Sequence, residues 1–367
     1  MAFFQLLLLS GIIMLSQTLT EENTTLLLVQ TLFRHSDRAP VFIYPNDPNN
    51  PEICWPNGLG MLTQLGKMQH YAVGKFLRSL YKDFITTNPR EVYANSSSED
   101  RCLNSVESNL ASFYAPDEKW QFEKDFDWQP IPIHYLPMEV DKYLNFDVPC
   151  PRAEAEFDNL LDSKEILDMY QTHQDLVENV TKFSGLNYTE GGNPLFLYDT
   201  LKVEKIHDLI IPEWVDTYWD EMSVIAFAIF RTFYSSYVQL KLRMGPFLEI
   251  ISKNLMDKVN GQNPHLKVVM NSAHDLNVAA LLLALNFTDM PRPPYCATLL
   301  IELHEMSDAS MAVRLLYMNS TEPLREVEDP HVLVMYGCTE FCPLETFIKS
   351  YQHLIPDNWS EECQLKN

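Results

Sequence analysis

The chain lacks the positive charge that a nucleic-acid-binding protein needs. Its 367 residues include 27 Lys and Arg against 50 Asp and Glu, which gives a formal net charge of -23 at pH 7. Because such a surface repels polyanions, we expect neither nucleic acid nor an anionic membrane as a partner. Apolar residues make up 46% of the chain, enough for a globular core. Any phosphate site would need arginines concentrated locally.

Long apolar runs are also missing after the start of the chain. The run Leu6 to Leu15 is typical of a secretory signal, which we assign to residues 1–20. A membrane anchor is the alternative, but the run is shorter than the roughly 20 residues that span a bilayer. Val224 to Phe230 and Val278 to Leu285 are shorter still. We therefore expect no membrane anchor in the mature chain and secretion to the extracellular space, with the lysosomal lumen as the alternative.

Cysteine is scarce, and its spacing does not fit a metal site. None of the seven cysteines forms the short-spaced pairs near histidines that zinc sites use. Disulfides are the better interpretation, and the odd count leaves at least one thiol without an internal partner. N-glycosylation acceptor patterns, which fit a secreted chain, begin at Asn23, Asn95, Asn179, Asn187, Asn286, Asn319 and Asn358.

Common nucleotide-binding and nucleophile motifs are absent too. The sequence has no phosphate-binding lysine loop and no serine-nucleophile elbow. Gly58-Leu59-Gly60 is followed by Thr63 where a dinucleotide-binding fingerprint needs glycine. These absences argue against enzymes that use a phosphate-binding lysine loop, a serine-nucleophile elbow or a dinucleotide-binding fingerprint.

Strand, loop and helix patterns recur near both ends of the chain. Thr25 to Phe33 is an apolar run typical of a strand buried on both faces, and helical spacing follows from Leu62 to Leu80. A second strand pattern, Leu266 to Met270, precedes His274 and Asp275 and then an apolar helix. This recurrence predicts an α/β fold.

The middle of the chain has a different pattern. Helical spacing and acidic segments replace strand alternation there. We therefore predict an α/β core formed by residues 21–120 and 255–367, with residues 121–254 inserted as a mostly α-helical cap.

The heptapeptide Arg34-His35-Ser36-Asp37-Arg38-Ala39-Pro40 follows directly on the first predicted strand. Guanidinium groups give phosphate paired hydrogen bonds that lysine cannot match, and a neutral imidazole beside them can attack phosphorus. A basic surface loop with an ordinary histidine is the alternative, since short motifs match by accident.

A second polar segment strengthens the catalytic interpretation. His274 and Asp275 follow another predicted strand, and open α/β sheets gather their chemistry at the carboxyl ends of strands. Asp275 could protonate a leaving group, cap the following helix, or do both.

Together these segments resemble the histidine acid phosphatases, the branch of the histidine phosphatase superfamily that includes prostatic, lysosomal and insect venom acid phosphatases. The family pattern R-H-G-x-R-x-P is matched at Arg34, His35, Arg38 and Pro40. Further matches are Trp55-Pro56-x-Gly58-x-Gly60-x-Leu62-Thr63-x-x-Gly66, Ser272-Ala273-His274-Asp275 and Gly337-Cys338-x-x-x-Cys342-Pro343-Leu344.

The resemblance implies a fold and a set of roles. The fold is a three-layer α/β/α sandwich of the phosphoglycerate mutase type with the inserted helical cap. His35 is the nucleophile that becomes a phosphohistidine, and Asp275 is the proton donor to the leaving alcohol. The implied phosphate-binding residues are Arg34, Arg38, Arg101 and His274. For Arg101, which ends a Ser-rich stretch, a solvated arginine at a helix start is the alternative.

The same resemblance implies the substrate class. We expect a small-molecule phosphate monoester or a phosphorylated peptide, no metal or other cofactor, and acidic conditions that favour a protonated Asp275. Family members often pair, so a homodimer stays open.

Two departures from the family pattern bear on activity. Ser36 stands where the family has glycine, and its side chain could crowd the phosphate loop. Asn95 stands where an arginine is common. The alternatives to an active acid phosphatase are therefore a weakened or inactive binding protein and a phytase-like specialist, although an acidic chain attracts inositol phosphates poorly.

The resemblance also implies two disulfides, Cys150 with Cys363 and Cys338 with Cys342. A third family bridge is expected to be missing, because Val203 takes the place of one partner. Cys54, Cys102 and Cys296 then remain unassigned, and Cys54 with Cys102 is the pair we consider.

Overall fold

The computed structural model describes residues 24–288, 290–320 and 329–365. The expected signal at residues 1–20 and the acceptor Asn23 lie outside these residues.

The described chain is built around one mixed sheet. Its strands are β1 (Thr24–Arg34), β2 (Val92–Ser96), β3 (Ile133–His134), β4 (Val268–Ala273), β5 (Thr298–Met306), β6 (Met311–Met318), β7 (His331–Leu333) and β8 (Cys342–Pro343). Their order across the sheet is β3-β2-β4-β1-β5-β6-β7, and β8 pairs with β6. The first four strands pair in parallel, whereas β5 runs antiparallel to β1.

Helices connect and cover the strands. They are α1 (Pro51–Cys54), α2 (Gln64–Leu80), α3 (Asp100–Phe113), α4 (Pro151–Leu161), α5 (Lys164–Thr172), α6 (Gln174–Ser184), α7 (Asn193–Ile206), α8 (Trp214–Thr232), α9 (Tyr237–Gln239), α10 (Gly245–Val259), α11 (Asp275–Ala284), α12 (Leu344–Tyr351) and α13 (Trp359–Glu362). Shorter pieces are the 3₁₀ turns Pro89–Glu91 and Gln352–Leu354 and the π-helical turn Leu240–Met244.

Strand β1 divides the interior into two cores because successive side chains of a strand point to opposite faces. Leu28 and Leu32 belong to a core shared with α10, α11 and α12. Val29 and Phe33 belong to a second core shared with α2 and α3. Helices therefore cover both faces of the sheet, and the predicted α/β class with a central sheet is confirmed.

The parallel register brings three strand ends together. Arg34 pairs with Ala273, and Ser96 pairs with Ser272, so β1, β2 and β4 end at one edge of the sheet. The segments that follow these strands therefore meet at this edge.

The region between β3 and α10 is helical in the described chain, with α4 to α9 in succession. Strand β3 lies inside the segment 121–254 that we assigned to a helical insertion. Helix α10 runs across the predicted boundary at residue 254, and its Ile251 carbonyl accepts a hydrogen bond from the Gln30 side chain of β1.

The cysteines follow the family pattern. Disulfides join Cys150 to Cys363 and Cys338 to Cys342. Cys54, Cys102 and Cys296 are free thiols.

The pairing of Cys54 with Cys102 is wrong. Cys54 packs beside Ala39, Trp55 and Val203, whereas Cys102 lies in α3 with its Sγ 3.4 Å from the carbonyl oxygen of Ala273. The two thiols therefore lie in different packing environments.

Within the part of the chain that the structure describes, none of the helices combines the length and the hydrophobicity needed to cross a bilayer.

The two disulfides close loops of very different length, with sequence separations of 213 and 4. Since a crosslink restricts the unfolded chain more when its loop is longer, replacing Cys150 and Cys363 together by serine should lower the free energy of unfolding by about 5 kcal/mol. The matched double variant of Cys338 and Cys342 should lose only about 2 kcal/mol. Guanidinium chloride unfolding of the three proteins measures both values, and equal losses would contradict the loop-length argument.

Candidate active site

Five of the residues predicted from the sequence line one cavity of about 160 Å³ at the carboxyl edge of the sheet: His35, Arg38, Arg101, His274 and Asp275. They come from the loop after β1, the first turn of α3 and the junction of β4 with α11. Arg34, the sixth, adjoins the cavity and reaches Asp275, with its Nη2 3.1 Å from Oδ2. The structure therefore brings all six residues together.

The His35 ring is held in one orientation. Its side chain is buried, and its Nδ1 lies 2.8 Å from the carbonyl oxygen of Ser36. A carbonyl only accepts hydrogen bonds, so Nδ1 carries the proton and Nε2 keeps the free lone pair. Burial and the neighbouring Arg101 and Arg34 lower the pKa of His35 well below its ordinary value. The imidazole is therefore neutral in mildly acidic solution, the form that can act as a nucleophile.

Arg34 is fixed on three sides. Its Nη1 donates to the carbonyl oxygen of Pro293 at 2.8 Å, and its guanidinium carbon lies 4.3 Å from the centroid of the Tyr295 ring. The buried His70 of α2 donates from Nε2 to the Arg34 carbonyl oxygen at 3.1 Å. Burial lowers the pKa of His70 to about 4, in agreement with a packed histidine that is neutral.

Arg38 depends on a partner from the helical region. Its Nη2 lies 2.8 Å from Oδ2 of Asp199 in α7, and both side chains are buried. Beside it, the fully buried Asp37 pairs with Nε2 of His207, just after α7, at 2.8 Å. Helix α7 and the residue after it therefore contact the loop after β1 through one ion pair and one histidine–carboxylate contact.

Arg101 and His274 form the opposite side of the cavity. Arg101 pairs through Nη1 with the carboxylate of Glu99. His274 Nε2 lies 3.3 Å from the Ser97 hydroxyl and 3.7 Å from the Cys102 thiol. Burial and Arg101 lower the pKa of His274 to about 3, so this ring is neutral as well.

Asp275 contacts two arginines, and one of them was missed by the sequence analysis. Besides Arg34, the side chain of Arg292 donates from Nε to Oδ2 of Asp275 at 2.9 Å. Burial raises the pKa of Asp275, but Arg34 and Arg292 outweigh it and hold the pKa well below its ordinary value. Without substrate the carboxyl is therefore ionised, which differs from the protonated form that we expected.

The N-cap role considered for Asp275 is wrong. His274 is the N-cap of α11, and its backbone N–H donates to Oδ1 of Asn277 at 3.2 Å. Asp275 is the first residue of the helix, so its carboxylate stays available to the cavity.

Arg292 and Asp199 carried no motif that could have revealed them. Arg292 lies between prolines in the segment that connects α11 with β5, and Asp199 lies inside a helix of the middle region. Their side chains meet, with Arg292 Nη2 3.2 Å from Oδ1 of Asp199. Only the tertiary fold relates these two residues to the heptapeptide.

The replacement of glycine by Ser36 does not crowd the cavity. Ser36 is fully buried, its φ is not positive, and it is not part of the cavity wall. Its backbone N–H donates to the Ser105 hydroxyl at 3.2 Å, and the two hydroxyl oxygens lie 3.4 Å apart. The serine therefore contacts α3 rather than a bound ligand.

Asn95 also has a partner. Its side-chain amide donates to Oδ1 of Asn271 at 3.2 Å, and both residues line a separate cavity of about 370 Å³. Asn95 is half-buried in a strand, which makes it a poor glycan acceptor, whereas Asn187, Asn286 and Asn358 are exposed.

The cavity has the chemistry of an anion-binding nucleophilic site. A neutral imidazole stands among guanidinium groups, which suit a tetrahedral oxyanion, and a carboxyl adjoins them. The cavity also contains aromatic side chains, Phe196, Phe230 and Phe233. A phosphoryl group with an apolar substituent fits these walls.

Comparison with known proteins agrees with this geometry. Residues 25–318 match the family model of the histidine phosphatase superfamily, branch 2. The lysosomal acid phosphatase of Homo sapiens is 32% identical over 372 residues, which cover 99% of this chain and 85% of that protein. The prostatic acid phosphatase of Homo sapiens is 32% identical over 352 residues, which cover 92% and 88%. The family resemblance stated from the motifs is confirmed.

Solved structures share the fold at lower sequence identity. The Hafnia alvei phytase in complex with myo-inositol hexakis sulphate superposes with a TM-score of 0.69 at 18% identity, over 94% of this chain and 99% of that chain. The phytase from Citrobacter braakii gives a TM-score of 0.67 at 17% identity, over 93% and 100%.

The ion pair of Arg101 with Glu99 predicts a competition for anions. Replacing Glu99 by Gln removes the negative charge that an incoming phosphate must displace, so the Kd for inorganic phosphate at pH 7 should fall about fivefold, or about 1 kcal/mol. Isothermal titration calorimetry measures this Kd.

The matched control for this prediction is Glu107→Gln, an exposed position on α3, the helix that begins directly after Glu99. It should leave the Kd unchanged. An equal or weaker affinity of Glu99→Gln would show that Glu99 does not compete with the anion.

Proposed function

Because this chain belongs to branch 2 of the histidine phosphatase superfamily, we propose that it is a secreted acid phosphatase that hydrolyses phosphate monoesters through a phosphohistidine on His35. The observation that carries the proposal is the His35 ring, which is buried, neutral and oriented by Ser36, and which shares a cavity with Arg38, Arg101 and His274.

The phosphoryl group of the substrate binds to Arg34, Arg38, Arg101 and His274. Guanidinium groups neutralise the charge that spreads over the equatorial oxygens in the transition state. In the free protein these arginines contact Asp275, Asp199 and Glu99, so the substrate takes over contacts that the carboxylates now make.

In the first step, Nε2 of His35 attacks phosphorus in line with the ester oxygen. The new P–N bond forms as the P–O bond breaks, and the electron pair of the P–O bond leaves with the alcohol oxygen. Asp275, which lines the same cavity, gives that oxygen a proton when it carries one.

In the second step, water attacks the phosphohistidine: a P–O bond forms as the P–N bond breaks, its electron pair returns to Nε2 of His35, and inorganic phosphate is released. The ionised form of Asp275 can accept a proton from this water, and His35 returns to its neutral state. Both steps are substitutions at phosphorus, and neither changes an oxidation state.

The helical region, residues 121–254, acts as a cap that sets substrate size. Support comes from its side chains in the cavity wall, which include Phe146, Leu195, Phe196 and Phe230. A cavity of about 160 Å³ favours small esters or a phosphorylated side chain over a bulky polyanion.

Secretion is supported by several features together. The apolar run Leu6 to Leu15 fits a signal, and the disulfides of Cys150 and Cys338 fit an oxidising compartment. The exposed acceptor residues Asn187, Asn286 and Asn358 fit glycosylation, with Asn179 and Asn319 less exposed.

The decisive experiment compares wild type with His35→Ala on 4-nitrophenyl phosphate near pH 5. Loss of the nucleophile should lower kcat/KM at least about a thousandfold. Rapid acid quench of wild type with ³²P-labelled substrate should trap an acid-labile phosphoprotein that His35→Ala lacks.

His134→Ala is the matched control, because this exposed histidine lies in β3, outside the cavity. It should keep wild-type activity. If wild type is no faster than His35→Ala, the chain acts as a non-catalytic binding protein and the proposal fails.

A further inference from the structure

Arg292 lies outside the sequence motifs, yet its side chain contacts two carboxylates and an aromatic ring. Its Nη2 lies 2.8 Å from Oδ2 of Asp275 and 3.2 Å from Oδ1 of Asp199, and its Nε also reaches Asp275. Its guanidinium carbon lies 5.0 Å from the centroid of the buried Phe230 ring. The side chain is therefore bound to the carboxyl that we assign to the leaving group.

The backbone holds Arg292 in this position. Pro291 precedes it and Pro293 follows; each proline fixes its own φ, and Pro293 also disfavours helical backbone at Arg292. The carbonyl oxygen of Pro293 accepts from Arg34, so one short segment ties both arginines to the same oxygen of Asp275.

Two guanidinium groups on one carboxylate oxygen stabilise the anion at the expense of the protonated form. A bound phosphoryl group attracts Arg34 toward itself and weakens the stabilisation of the Asp275 carboxylate by Arg34. Arg292 also contacts Asp199 and Phe230, so it stays beside Asp275 during the reaction.

The charged and titratable groups around Asp275 come from several elements. They are Arg34 at the end of β1, Arg38 in the loop after it, Cys102 in α3, Asp199 and Lys202 in α7, Tyr234 after α8, Arg292 before β5, and the adjacent His274. Among them Arg34 and Arg292 make direct contact with the carboxylate.

We propose that Arg292 is a positioning residue that sets the leaving-group range of the enzyme: by keeping Asp275 as a carboxylate, it directs hydrolysis toward phosphate monoesters of acidic alcohols, above all phenols. This inference rests on the proposed phosphohistidine mechanism. A phenolate leaves as the anion and takes the electron pair of the P–O bond without a proton. An alkoxide is too basic to leave in this way and needs the proton of Asp275.

The shape of the cavity agrees with this substrate class. The aromatic side chains Phe196, Phe230 and Phe233 line it, and they can pack against a phenyl ring. Phosphorylated tyrosine side chains and other aryl phosphates combine this apolar ring with an acidic hydroxyl.

The first test uses wild type alone and measures kcat/KM for phenyl phosphate and for glycerol 2-phosphate between pH 4 and pH 7. Aryl hydrolysis should depend little on the protonation of Asp275, whereas alkyl hydrolysis needs it. The alkyl-to-aryl ratio of kcat/KM should therefore rise about tenfold for each pH unit of acidification. A ratio independent of pH would overturn the inference.

The second test is Arg292→Gln, which removes one of the two cations at Asp275. The fraction of protonated Asp275 should increase, so the alkyl-to-aryl ratio at pH 6 should rise about tenfold. Arg292→Lys, which keeps the charge, should keep a ratio near that of wild type. The ratio cancels any loss of folded enzyme, because both substrates report on the same preparation.

A third variant separates this role from substrate binding. In an Asp275→Asn background, Arg292→Gln should no longer change the ratio, because the group through which Arg292 acts is gone. If Arg292→Gln slows both esters equally, Arg292 binds substrate and the inference fails. The same conclusion follows if it slows only esters whose leaving alcohol carries a negative charge. Aryl hydrolysis that still depends on His35 would support the proposed function in either case.

Discussion

The crowding of four guanidinium groups beside one imidazole, two of them buried and two partly buried, is the constraint on which this site depends. Isolated buried charges are very costly, so each arginine needs a carboxylate within reach. Arg34 contacts Asp275, Arg38 contacts Asp199, Arg101 contacts Glu99, and Arg292 contacts two of these carboxylates. The free site is therefore close to neutral. In the proposed reaction, a phosphate therefore exchanges partners with these acids rather than entering an open positive cavity, and the acids affect how strongly it binds.

The sequence predicted the fold class and the segments that form the site, because both depend on local patterns. An apolar strand followed by Arg34 to Pro40, and a second one followed by His274 and Asp275, were enough to place both segments at one sheet edge. Arg292 and Asp199 could not be found in this way. Each is an ordinary residue in its own segment, and its role exists only because α7 and the segment before β5 meet at the cavity.

The two departures from the family pattern show why a motif is a weaker guide than its surroundings. Ser36 is tolerated because its backbone needs no positive φ and its hydroxyl lies beside Ser105 of α3. Asn95 replaces a charged side chain by an amide that pairs with Asn271 on the neighbouring strand. The protonation of Asp275 was predicted from its assigned role alone, whereas in the structure its charge depends on Arg34 and Arg292.

Helix α7 joins the helical region to the sheet through the charges of the site itself. Asp199 contacts Arg38 and Arg292, and His207, just after the helix, contacts Asp37, so this segment supplies a counter-charge and a polar partner as well as a wall. The helical region is consequently not an interchangeable module. A chimaera that received the corresponding segment of a relative without these two residues would leave the buried Arg38 without its carboxylate and the buried Asp37 without its histidine partner. Substitutions in the helical region are therefore constrained by the residues at the strand ends that this region covers.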